Sequence, residues 1–150
     1  MLEEIRSAAA VDIASAYFSP RDKEIEVLKE VPELRIYVSN EFEVSDPFSL
    51  ESLAVGASVE CIPVDSTEGR FHAKVVSCRR EDGTRVAFVG SANFTGPGLF
   101  HNHEACVRLD TRSGDIEAIE DLREWIGRLE RLSHVPDWDH AKKVYENSRT

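Results

Sequence analysis

A chain of 150 residues with 41% hydrophobic side chains is long enough for one domain with one sizeable core. Acids outnumber bases by 28 to 18, a formal net charge of −10, so attraction to nucleic acid by overall charge is excluded and any basic contact has to be local. No run is long and apolar enough to span a membrane, and the Met-Leu-Glu-Glu start lacks the basic-then-apolar pattern of a signal peptide, so a single cytoplasmic domain over residues 1–150 is expected.

The elements follow from periodicity and punctuation. Leu2 to Ala9 reads as a short helix with Leu2, Ile5 and Ala9 on one side. Val11 to Phe18 reads as a strand, and its nearly unbroken apolar character suits a central position covered on both faces. Asp12 interrupts that run, either as a site residue or as an acid at the strand entrance, and the second is the favoured reading. Arg21 to Glu30 is a helix stopped by Pro32, and Leu34 to Val38 a second strand. Ser39 to Ser45 forms a loop. Asp46-Pro47 then opens a helix with an N-cap acid and a proline at the first helical position, and Gly56 closes it. A third strand spans Val59 to Val64, and a polar turn spans Asp65 to Gly69.

Beyond that turn lies the most informative stretch, Phe71 to Glu104. His72 and Lys74 are two apart, so in a strand they share a face. Asp82-Gly83 signals a hairpin, which folds Thr84 to Val89 back beside that strand and brings Ser91 and Asn93 toward the His/Lys pair. A histidine, a lysine, a hydroxyl and an amide on one spot form a phosphate-handling site. Thr95 to Leu99 is a loop or a helix start. Glu104 to Leu109 is the last strand, and Asp115 to Leu132 the longest helix, with Ile116, Ile119, Leu122, Ile126 and Leu129 at helical spacing. Pro136 breaks the chain before a final helix, Asp137 to Asn147. The alternation predicts a layered α/β domain with a mixed central sheet flanked by helices. No Gly-x-Gly-x-x-Gly follows the first strand, so a dinucleotide site is not expected. Cys61, Cys78 and Cys106 are an odd count without ligand spacing and are read as small buried hydrophobes.

His72, Lys74, Gly90, Ser91 and Asn93 together resemble the phospholipase D superfamily, whose motif is His-x-Lys, four residues, Asp, then Gly-Ser-x-Asn. Glu104, eleven residues after Asn93, sits where the short nucleases of that family carry a glutamate, and Phe71 and Phe94-Thr95 are also family-like. The chain departs from the motif at Arg79, where the Asp is expected. Asp82 either slides into that role or serves the turn, and turn chemistry is the simpler account.

The resemblance implies a phospholipase D-like fold and a phosphodiesterase, in the first reading an endonuclease acting on DNA. The family sets two His-x-Lys motifs face to face and this chain has one, so the resemblance implies a homodimer. It implies that one His72 attacks phosphorus to form a phosphohistidine, while the other protonates the leaving group. Lys74 holds non-bridging oxygens, Ser91 and Asn93 donate hydrogen bonds, and Glu104 accepts from the His72 ring. No metal and no cofactor are required; His101 and His103 are read as loop histidines near the cleft rather than zinc ligands. A helicase or restriction partner is a further expectation. Two alternatives stay open: a phospholipid-processing enzyme, and an inactive member used for binding or scaffolding.

Overall fold

The computed structural model describes residues 1–66, 69–90, 94–95 and 105–150. Its helices are α1 (Leu2–Ser7), α2 (Asp22–Lys29), α3 (Pro47–Ala54), α4 (Ile116–Leu132) and α5 (Trp138–Asn147). Its strands are β1 (Ala10–Ser15), β2 (Phe18–Ser19), β3 (Glu33–Ser39), β4 (Ser58–Ile62), β5 (Asp65–Ser66), β6 (Gly69–Arg70), β7 (Lys74–Arg79), β8 (Arg85–Gly90), β9 (Phe94–Thr95) and β10 (Cys106–Asp110).

Six strands form one mixed sheet in the order β10-β8-β7-β1-β3-β4. Parallel neighbours need long crossovers, and α2 and α3 supply them between β1, β3 and β4. The other half is antiparallel: β7 pairs with the distant β1, and β7 and β8 are joined by a tight turn. In that turn Gly83 takes φ 86°, a conformation that favours glycine, and Asp82 accepts from the backbone and hydroxyl of Thr84. The expected mixed α/β layering is therefore the observed one.

Alternation along the strands feeds two apolar layers. On one face Val11, Ile13, Ile36 and Val38 pack with Leu28, Leu50 and Leu53 of the crossover helices. On the other, Ala14, Tyr37 and Val75 meet Ile126 and Leu129 of α4. β1 contributes to both layers, as its unbroken apolar run requires. Asp12, the exception in that run, is engaged by Arg35 on the neighbouring strand at 2.7 Å, which bears out a structural acid rather than a site residue. At α3, Asp46 caps the helix by accepting from Phe48 N and Ser49 N, and Pro47 follows it, as read from the sequence.

The structure corrects three expectations. The first strand does not run to Phe18: it ends at Ser15, and Phe18–Ser19 leave the sheet to pair in parallel with Phe94–Thr95. Cys106 is exposed, because it opens an edge strand, whereas Cys61 and Cys78 are buried as expected. Burial pushes the Cys61 thiol up to about 11 and the Cys78 thiol to about 12, so both stay protonated and unreactive near neutrality. The third correction concerns His72 and is taken up with the site.

A buried ion-pair network closes the hairpin end of the sheet. Arg80 meets Asp110 through two hydrogen bonds, 2.7 and 3.0 Å, and also reaches Glu4. The hydrogen bonds from Arg80 hold the Asp110 carboxyl down at about 2, against an opposing push from burial. A depressed carboxylate stabilises the fold above its unfolded value of 3.8, and that stability is lost as pH falls toward about 2. Asp110→Asn is expected to lower Tm at neutral pH and to flatten the dependence of Tm on pH across that acid window. Parallel Tm–pH curves for the two proteins would show that Asp110 is not the group responsible.

Candidate active site

The site is assembled at the end of the sheet where β1 and β8 finish and β7 begins. Three anchors hold the approach to β7. Phe71 is buried and its N–H donates to Val64 O at 3.0 Å; Ala73 O accepts from Ala16 N at 2.8 Å; and Lys74 pairs with Ser15 in the β1–β7 ladder. His72 lies between the first two anchors, exposed and one residue clear of the strand. Its expected place within the strand is thus corrected: Ala73 bonds to the bend after β1, so the ladder starts only at Lys74.

The expected neighbourhood of the pair holds all the same. Lys74 Nζ lies 2.9 Å from His72 Nδ1 and 3.3 Å from His72 O. An ammonium only donates, so in this contact Nδ1 is the acceptor. Tyr17 meets the His72 ring edge-on, with centroids 6.2 Å apart and planes at 89°. The arrangement presents an exposed imidazole beside an ammonium, a pairing able to engage an anionic phosphoryl group.

Carrying the β7–β8 register one step past Val75↔Val89 sets Gly90 opposite Lys74. Gly90 in turn pairs with Cys106, and a Cβ there would sit 2.2 Å from Ala105 O. The glycine of the Gly-Ser-x-Asn motif is therefore required by close backbone approach between β8 and the start of β10. Gly90→Ala is expected to cost about 1–3 kcal/mol of stability, the range for forced overpacking, and more if β10 detaches. A denaturant midpoint equal to wild type would show that the two strands separate freely.

Ser91, Asn93 and Glu104 lie outside the described residues, as do His101 and His103. Phe94, directly after Asn93, is described: its N–H donates to Ser15 Oγ at 2.9 Å and its ring stacks on Phe18 at 5.3 Å. Asp82 sits at the far end of the hairpin, about 17 Å from Lys74 at the usual rise per residue, and pairs with Arg112 at 2.6 Å. It serves the turn, where its two partners hold its carboxyl well below the ordinary range, Thr84 contributing first and Arg112 next. Arg79, at the motif's Asp position, is within 3.7 Å of Glu33. Sequence reasoning missed Ser15 and Tyr17. The signal available was weak: two polar groups near the end of an otherwise apolar strand. Among the described residues no group of three histidine, cysteine, aspartate or glutamate side chains could hold a metal ion.

A family described as "Cardiolipin synthase, PLD-like domain" matches residues 1–129. The chain belongs to this family. Its fold is shared by solved phospholipase D-like structures. NucT from Helicobacter pylori superposes with TM-score 0.71 at 20% identity, covering 90% of this chain and 87% of that one. Nuc from Salmonella typhimurium, a phospholipase D family member, gives 0.64 at 18%, covering 89% and 86%. A mutant of yeast tyrosyl-DNA phosphodiesterase gives 0.53 at 15%, covering 72% of this chain but 28% of the larger protein. At these identities the likeness shows the fold. Among curated proteins nothing matches the chain. The phospholipase D-like assignment accounts for the pairing of His72 with Lys74 at a sheet end and for the glycine that β10 crowds.

Proposed function

We propose that this phospholipase D-like chain is a metal-independent endonuclease that hydrolyses DNA phosphodiesters through a phosphohistidine, with a second copy completing the site. The observation that carries the reading is the exposed His72 imidazole with the Lys74 ammonium 2.9 Å from Nδ1, in this fold. On entry of a phosphodiester, Lys74 exchanges His72 Nδ1 for a non-bridging oxygen, leaving both ring nitrogens available. One ring nitrogen attacks phosphorus; the other donates to Glu104, which orients the ring. The P–O bond to the leaving nucleoside breaks, and His72 of the second copy protonates that oxygen. Water, deprotonated by the same histidine, then cleaves the P–N bond and releases a phosphomonoester. Ser91 and Asn93 donate to the phosphoryl oxygens as charge builds.

DNA as substrate draws support from the yeast neighbour, by name a tyrosyl-DNA phosphodiesterase. The length match to NucT and Nuc, each covered over more than four fifths, supports a short chain with one motif. The description of the matched family favours a phospholipid as the second reading. No helix among the described residues is long and apolar enough to cross a membrane.

One experiment separates the readings: plasmid DNA and phosphatidylglycerol vesicles are each incubated with the protein in EDTA, with light scattering on the same sample. The expected result is nicked or linear DNA, unchanged lipid and a dimer mass. Lipid turnover without DNA cleavage selects the second reading, and no product from either selects a binding module. A monomer at about 10 µM, where obligate dimers stay assembled, that still cleaves DNA overturns the shared site. Activity that needs an added divalent ion overturns the metal-free chemistry.

A further inference from the structure

At the end of β1 one hydroxyl joins two described segments that border the site. Ser15 is buried, 2% exposed. Its Oγ donates to Tyr17 O at 2.6 Å and accepts from Phe94 N at 2.9 Å. The first bond lies in the bend that leaves the sheet, where the Tyr17 ring stands edge-on to the His72 ring. The second holds the residue that directly follows Asn93. Between these, Ala16 N donates to Ala73 O, the backbone between His72 and Lys74. Gly90 is crowded by Ala105, and Phe94 is bonded to Ser15 and stacked on Phe18.

A buried hydroxyl that donates to the bend two residues on and accepts from the distant β9 has a fixed rotor. Removing it leaves the Phe94 N–H without its acceptor in a dry setting and takes the Ser15 donor from Tyr17 O, so both bonded segments lose their shared tie. Neither segment contributes much to either apolar layer beyond Phe18 and Phe94, so the damage falls on alignment rather than on folding.

We propose that Ser15 is a positioning residue for the phosphodiester chemistry: one hydroxyl that joins Tyr17, whose ring meets His72, to Phe94 on β9 and so holds the two in register. The inference rests on the proposed function for its catalytic consequence, and its structural half stands apart from it. Its action is indirect, since Ser15 itself is buried beneath the site.

The test compares wild type, Ser15→Ala, Ser15→Cys and Ser77→Ala. Ser77 is the control: an equally buried serine on β7 whose hydroxyl has no hydrogen-bond partner among the described residues. With DNA in EDTA, Ser15→Ala is expected to lose about 100-fold in kcat, the scale of a misplacement near 1 Å, with KM changed little. Ser15→Cys, which keeps shape and a weak hydrogen-bonding group, should recover part of the loss, and Ser77→Ala should match wild type. Wild-type kcat in Ser15→Ala, or an equal loss in Ser77→Ala, overturns the proposal. If Ser15→Ala does not fold, the same comparison is read from Ser15→Cys. A second readout does not depend on turnover: in amide and histidine-ring NMR spectra, Ser15→Ala or Ser15→Cys is expected to move the Phe94 amide and the His72 ring signals together. A moved Phe94 amide with an unmoved His72 ring breaks the coupling, whether or not the wild type proves to be a phosphodiesterase.

Discussion

His72→Ala is expected to abolish DNA cleavage, by at least about 10⁴-fold in kcat, as loss of a nucleophile does elsewhere. The side chain is exposed and outside both apolar layers, so the substitution should change stability by no more than about 0.5 kcal/mol. Tm close to wild type with no turnover is therefore the expected pair of results. Chemical trapping makes the test specific. A labelled substrate quenched early should leave an acid-labile phosphoramidate on His72 in the wild type and none in the variant. Cleavage by His72→Ala at the wild-type rate would remove the nucleophile from this residue, and the binding-module reading would replace the enzymatic one. Mixing the variant with a chain carrying a distinct inactivating substitution tests the shared site further. If each site uses both copies of His72, mixed dimers with one functional His72 should not regain full activity.

Lys74→Ala should cost about 2–4 kcal/mol of transition-state stabilisation, some 10²- to 10³-fold, by the scale of a lost oxyanion donor. Lys74 is half-buried at the first position of β7, so its ammonium is held where the strand begins rather than free to sample the surface. The loss should fall on kcat more than on KM, because the charge on the oxygens grows between ground state and phosphorane. Lys74→Arg should rescue little: a planar fork does not occupy the compact site 2.9 Å from His72 Nδ1 as an ammonium does. A rise in KM with kcat unchanged would assign Lys74 to substrate binding alone.

Both residues stand out in the amino-acid sequence itself. The His72/Lys74 spacing is legible there because strand alternation is a local rule, and the contact between the two side chains survives even though His72 sits just outside the ladder. The hairpin is legible because Asp82-Gly83 carries its own turn chemistry, and the positive φ of Gly83 bears it out. The same turn places Asp82 far from Lys74, a distance that six-residue strands impose and that a motif alignment alone does not weigh.

The bend after Ser15 is not legible. Residues 11–18 are apolar enough to continue as one strand, and no glycine or proline stands among them before Pro20. The partners that stop them are distant in the chain: Phe18 N donates to Ser45 Oγ at 2.9 Å, and Phe94 N donates to Ser15 Oγ at 2.9 Å. The requirement for glycine at position 90 is similar, since the crowding atom belongs to Ala105, just before β10.

The sequence by itself determined the α/β class, the crossover helices, the hairpin and the nearness of His72 to Lys74, because periodicity, caps and turn residues act over a few positions. Tertiary structure alone decided where the first strand ends, which backbone crowds Gly90, and that the Ser15 hydroxyl joins Tyr17 to Phe94. Those contacts cross up to 79 residues of chain, and their energetics depend on burial that no local pattern encodes.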